Sequence, residues 1–152
     1  YENILDLFSS RFKTKYKFLD DSIVFKSKKS FIKSTPIQYS GSINFKPFNF
    51  QINVDSKKFN FSYLLKNLYL VNELISTKLL LNQNLYGKIN ISSEKITANK
   101  YFNKINIIVN FKEGEINLND TVLHSDRFGE LNIYDSKYPI CFPYILIYIK
   151  VL

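Results

Sequence analysis

The chain has 152 residues, 45% of them hydrophobic and 22% charged, with a formal charge of +8; that is long enough for one domain with a core and short for two. The lone Cys141 excludes an internal disulfide framework and a cysteine-based metal site while leaving the compartment open. The charge invites a nucleic-acid reading, but it is nearly all lysine, with only Arg11 and Arg127 besides, and arginine is the better bidentate reader of phosphate and guanine.

Lys, Asn, Ile, Phe and Tyr are abundant together, as A- and T-rich codons would make them, so this balance needs no polyanion partner and no nucleic acid is expected. Attraction of lysine to an anionic membrane surface carries about the same weight. The chain begins at Tyr1 and contains no methionine. It therefore reads as a piece of something longer, and the lack of a targeting segment carries no weight.

Residues 2–13 hold Ile4, Leu5, Phe8 and Phe12 at a spacing that predicts a short helix. Between Lys13 and Lys33, Ile23 and Phe25 alternate with polar neighbours and Lys28-Lys29 marks a turn, a modest strand or hairpin. After Pro36, Ile37, Tyr39, Gly41, Ile43 and Phe45 share one parity. Past Pro47 the phase slips, and Phe48, Phe50, Ile52 and Val54 share the other. A bulge or a strand-to-strand corner does this.

From Ser62 to Gln83 the period changes. Leu64, Leu65, Leu68, Val71, Leu74, Ile75 and Leu79 recur at three- and four-residue steps, predicting one long helix that lies on the sheet. Strands resume at Tyr86–Ser92 and briefly near 95–98. Ile105, Ile107, Val109 and Phe111 then alternate with polar neighbours over roughly 23 Å at about 3.3 Å per residue. Lys112-Glu113-Gly114 turns the chain into a returning strand to Leu118, and 129–134 supplies another. From Pro139 to Leu152 the tail is apolar on both parities; it is too short to span a bilayer and reads as a buried final strand or an atypical end.

All four glycines open one phrase: Gly41-Ser-Ile-Asn-Phe45, Gly87-Lys-Ile-Asn-Ile91, Gly114-Glu-Ile-Asn-Leu118 and Gly129-Glu-Leu-Asn-Ile133. A glycine tolerates the positive φ of a turn, and the four residues after it alternate as a strand with one wet and one apolar face. The expected fold is α+β and β-rich: a curved antiparallel sheet of roughly seven to nine strands, the helix at 62–83 inserted between strands, and a β-meander after it. Residues 1–138 form one domain and 139–152 the tail.

Chemistry-bearing residues are sparse. His124 is the only histidine and sits between Asp120 and Asp126, without a Ser or Cys elbow, a metal-spaced second ligand or a Gly-rich phosphate loop. Asp20-Asp21, Glu113 with Glu115, and Asp120 with Asp126 fall at turns or strand ends, where such residues belong for backbone reasons. No catalytic residue, metal or cofactor is expected.

The stretch from Ser40 to Phe48, the Leu-rich segment, Leu81-Asn-Gln-Asn-Leu-Tyr-Gly-Lys-Ile-Asn-Ile91, Phe111-Lys-Glu-Gly-Glu-Ile-Asn-Leu118 and Phe128-Gly-Glu-Leu-Asn-Ile133 together resemble the C-terminal region of AsmA-like proteins, of the TamB-type group of bacterial envelope proteins. The resemblance covers about two thirds of the chain; the tail after Pro139 departs from it. It implies an inner-membrane anchor elsewhere in the full-length protein, a periplasmic body of repeated strands with an apolar groove, and a part in moving phospholipid between inner and outer membranes.

The expected function is thus noncatalytic. Phe48, Phe50, Ile52, Val54, Ile89, Ile91, Ile105, Ile107, Val109 and Phe111 form an apolar face that meets phospholipid acyl chains where it stays open. The alternative is a structural or adhesive β-repeat module with a closed core, whose Asn and Lys rows meet a partner.

Overall fold

The computed structural model describes residues 1–7, 9–60, 82–134, 137–138 and 148–151, and every regular element among them is a strand. In chain order these are β1 (Glu2–Leu7), β2 (Ser10–Leu19), β3 (Ser22–Ser27), β4 (Ser30–Ile32), β5 (Thr35–Phe45), β6 (Phe48–Ser56), β7 (Phe59–Asn60) and β8 (Tyr86–Ser93). They continue as β9 (Ile96–Thr97), β10 (Lys104–Lys112), β11 (Glu115–Asn117), β12 (Val122–Ser125), β13 (Gly129–Tyr134), β14 (Lys137–Tyr138) and β15 (Tyr148–Val151). A 13-stranded sheet follows the order β1-β2-β3-β5-β6-β8-β10-β12-β13-β15, with β4 against β2 and β5, and β11 joining β10 to β14; β7 and β9 make a separate pair.

Tight turns set the register. Leu19 pairs Ser22 across Asp20-Asp21, and Phe45 pairs Phe48 across a cis Lys46–Pro47 bond. Lys112 pairs Glu115 across Glu113-Gly114, whose φ values of 54° and 78° suit the two-residue turns that match strand twist. The phase slip at Pro47 is therefore a strand-to-strand corner. Because the hairpin folds Phe45 onto Phe48, the odd set of β5 and the even set of β6 reach the same face.

The α+β expectation is corrected to all-β, since no described residue is helical. Most of the helix expected at 62–83 lies outside the described residues; Asn82 is irregular and Gln83 is in a turn. The helix expected over 2–13 is replaced by β1 and β2, paired from Glu2↔Lys15 to Leu7↔Ser10. Ion pairs and aromatic contacts across that hairpin outweigh a three-to-four-residue period too short to make a stable helix alone. The sheet is also larger than expected and mixed, because β6 and β8 run parallel from Asn49↔Tyr86 to Ser56↔Ser93. Parallel neighbours need a crossover of a dozen or more residues, and the separation of Ser56 from Tyr86 along the sequence leaves room for one.

Two buried hydroxyls replace backbone partners where a strand changes neighbour. β10 pairs β12 through Asn106 and β11 from Asn110. Between them, Ile108 N–H donates to Thr121 Oγ1 (2.9 Å), which donates to the Ile108 carbonyl (3.2 Å). At the other side of the sheet Lys13 N–H donates to Ser30 Oγ (2.9 Å), which donates back to the Lys13 carbonyl (3.1 Å). Both residues are 3% exposed, so losing either hydroxyl strands a donor and an acceptor away from water. Thr121→Val should cost about 1–3 kcal/mol in chemical denaturation, with Thr121→Ser recovering most of it; equal stability of Val and wild type would refute the role.

At the β1 edge, Arg11 Nε and Asp6 Oδ1 are 2.8 Å apart, and Lys13 Nζ lies 2.7 Å from Glu2 Oε1. The hydrogen bond from Arg11 holds the Asp6 carboxyl below its ordinary value, and that from Lys13 does the same for Glu2. A carboxylate whose pKa falls on folding stabilises above its unfolded value and loses that contribution as pH drops through the folded one. The β1–β2 hairpin should therefore loosen first below about pH 4, seen as faster amide exchange in Glu2–Leu7 than in β10. Unchanged β1 exchange on acidification would count against it.

Candidate functional site

Following the register across the sheet sorts every paired side chain to one of two faces. Ile43 pairs Phe50, Gly41 pairs Ile52 and Tyr39 pairs Val54; Phe50, Ile52 and Val54 then pair Gly87, Ile89 and Ile91; and these pair Phe111, Val109 and Ile107, with Ser93 opposite Ile105. Phe48 joins through Phe45. All ten residues expected to form the apolar face thus lie on a single face, spread over β6, β8 and β10.

That face is wider than those three strands. Register extends it to Phe25 and Ile23 on β3 and to Tyr16 and Phe18 on β2. On the other side it takes in Leu123 of β12, then Leu131 of β13. These residues were missing from the expected set. For β2, β3 and β13 their signal was the same two-residue alternation, and for β5 it was the Pro47 corner, which turns two opposed parities into one surface; Leu123 had no such signal.

The face is partly open to solvent. Ile105 and Phe111 are 4% and 6% exposed, whereas Phe48 is 44% exposed, and the other seven of the ten are half-buried. None of the described large side chains is fully buried. A sealed sandwich core contains several such residues; this face holds its apolar side chains at the depth of a lined surface.

Two of the four phrase glycines work inside this face. Gly87 lies between Phe50 and Phe111, whose rings meet at 5.4 Å across the β8 backbone, and a Cβ there would strike the Phe50 ring. At Gly41 a Cβ would strike the Gln51 carbonyl oxygen and come within 2.7 Å of Phe25 Cζ. Both glycines therefore serve close approach. Only Gly114 and Gly129 have the positive φ expected of the phrase, 78° and 82°.

The opposite face is mainly polar, with Val24 and the buried Ile108, which pairs Asn90, as apolar exceptions. Across it Lys17, Ser42, Gln51 and Lys88 share one row, with Val24 between the first two, and Lys15, Lys26, Ser40, Asn53 and Asn90 share the next. Asn44 Nδ2 donates to Asn49 Oδ1 at 2.7 Å and Asn110 Nδ2 to Asn117 Oδ1 at 3.0 Å, so cross-strand amide pairs reinforce the ladder. A groove of about 910 Å³ opens on this side, lined by Lys15, Lys17, Lys26, Ser40, Gln51 and Asn53 among others.

His124 stands on strand β12, not in a turn, opposite Glu130. Its Nδ1 is 3.5 Å from Glu130 Oε1 and its Nε2 3.5 Å from Asp126 Oδ1; Asp120 precedes the strand with φ 66°. Both carboxylates are exposed, Asp126 82% and Glu130 57% at their side chains, and flank the imidazole from the solvent side. Among the described residues no group of three His, Cys, Asp or Glu side chains could hold a metal ion. No family model, curated protein or solved structure matches the chain.

Proposed function

We propose that this chain is a noncatalytic segment of an AsmA-like envelope protein. Its apolar sheet face contacts phospholipid acyl chains as lipid moves between the inner and outer membranes, in a periplasmic body anchored in the inner membrane by the full-length protein. What supports this reading is one apolar face, continuous over β2 to β13, most of whose side chains are half-buried while Phe18 and Phe48 are exposed. Hydrocarbon chains lying on such a surface remove apolar area from water on both partners, at about 25 cal/mol per Å². The chemistry is contact alone, so the face needs no polar catalyst.

Organic extraction of the purified protein followed by mass spectrometry tests this. Phospholipid is expected in stoichiometric amount, and its absence from protein purified out of an envelope fraction would overturn the proposal. The groove on the polar side favours one second reading, an adhesive β-repeat module whose Lys and Asn rows meet a partner. Under it, Ile107→Asp unfolds the domain, because the apolar face would be its closed core.

A further inference from the structure

The two ends of the sheet differ in charge. β3 runs out into Lys28-Lys29, β6 into Lys57-Lys58 and β8 into Glu94-Lys95, and β10 is entered from the loop carrying Lys100. Register brings these segments to one end: Ser56 pairs both Ile37 and Ser93, Lys104 pairs His124, and Lys28 N–H donates to the Lys13 carbonyl at 2.7 Å. All six lysines are exposed. Among the described residues only Lys28 of the six has an ion pair, 3.6 Å from Glu2. Glu94 and Asp126 also lie at this end, and Asp6 there is paired with Arg11, so lysine remains in excess; at the opposite end the tight turns carry Asp20-Asp21, Lys46 and Lys112-Glu113, where acids offset the lysines.

A second feature lies at the basic end. Tyr101 and Phe128 are 64% and 51% exposed with ring centroids 6.3 Å apart. Their loops are pinned: Asn99 Oδ1 accepts from Tyr101 N–H (2.7 Å) and Phe102 N–H (3.1 Å), and Ser125 Oγ accepts from Arg127 N–H (3.3 Å) and Phe128 N–H (3.2 Å). The aromatic pair is therefore held outward in water by built turns. Exposed aromatic rings beside unpaired lysines are the side chains that suit a headgroup layer.

We propose that this end of the sheet docks on an anionic phospholipid bilayer, with the lysines against the headgroup phosphates and Tyr101 and Phe128 entering the interface. Nucleic acid fits the same end less well. Arginine is scarce there: Arg11 is held by Asp6 at 2.8 Å, and the Arg127 guanidinium lies 5.0 Å over the Phe128 ring, on a face where a base would stack. Docking here goes beyond the proposed function and does not require that the apolar face carry lipid.

The test is cosedimentation of the full chain with vesicles of equal parts phosphatidylcholine and phosphatidylglycerol, against pure phosphatidylcholine. Binding to the mixed vesicles alone is expected, weakening as salt is added. The Lys57→Gln/Lys58→Gln pair should bind roughly 30-fold more weakly, and Tyr101→Ala should also weaken binding, while Lys46→Gln/Lys112→Gln, an equal loss of charge at the other end, should match wild type. Equal weakening by the two lysine pairs, indifference to phosphatidylglycerol, or tighter binding to a single-stranded oligonucleotide than to the mixed vesicles would each overturn the proposal. Copurified lipid with no vesicle docking would sink this inference and leave the proposed function standing.

Discussion

Gly41→Ala should destabilise the sheet by about 3 kcal/mol, a lowering of the urea midpoint by roughly 1–3 M. The new methyl meets a backbone oxygen, that of Gln51 on the adjoining strand, as well as Phe25 Cζ at 2.7 Å. A paired strand cannot retreat without breaking the β5–β6 ladder, which runs from Ile37↔Ser56 to Phe45↔Phe48. Gly87→Ala is the informative comparison, because the atoms nearest its methyl all belong to the Phe50 ring, and a ring can turn aside at the loss of its contact with Phe111. That contact is worth about 0.5–1.5 kcal/mol, so Gly87→Ala should cost less than half as much. Equal costs at the two positions would show that backbone approach is not what Gly41 provides.

The second large effect concerns Ile52 and Ile107, both half-buried on the apolar face and set apart on β6 and β10. A carboxylate in a sealed core is left buried and unpaired, which costs enough to unfold a domain of ordinary stability. On an open face it keeps its water when lipid is absent. Ile52→Asp with Ile107→Asp should therefore leave the far-ultraviolet circular dichroism of a folded sheet while copurified phospholipid falls at least about ten-fold, the removed side chains each contributing about 1.5–3 kcal/mol of apolar burial. Loss of the folded spectrum would support the closed-core module.

The strands were legible because alternation is a local signal. Ile105, Ile107, Val109 and Phe111 declare a face within one strand, and the Glu113-Gly114 turn declares its hairpin. Alternation marked the apolar side of each strand, but the ten residues share one surface only because β6, β8 and β10 are neighbours in register; the Pro47 corner adds the odd set of β5. Other features were hidden for physical reasons. Ile4, Leu5, Phe8 and Phe12 fit a helical period, yet Glu2 and Asp6 find cationic partners only when β1 lies against β2. The parallel step from β6 to β8 leaves no local trace, since pairing direction depends on where a distant segment re-enters the sheet. β12 was missed because Val122, Leu123 and His124 do not alternate. Its position rests on Thr121, whose hydroxyl takes up the Ile108 backbone. Nor does a linear reading show that lysines 28, 29, 57, 58, 95 and 100 gather at one end, because strand reversals alone bring them together.

The central claim is that one face, and not the other, meets lipid. Photocrosslinking residues placed singly at neighbouring positions test it most directly, since Gln51 and Ile52 on β6, and Lys88 and Ile89 on β8, point to opposite sides. With the protein irradiated in the cells that produce it, crosslinked phospholipid is expected at positions 52 and 89 and not at 51 and 88. Lipid crosslinked equally at all four, or at none, would contradict it.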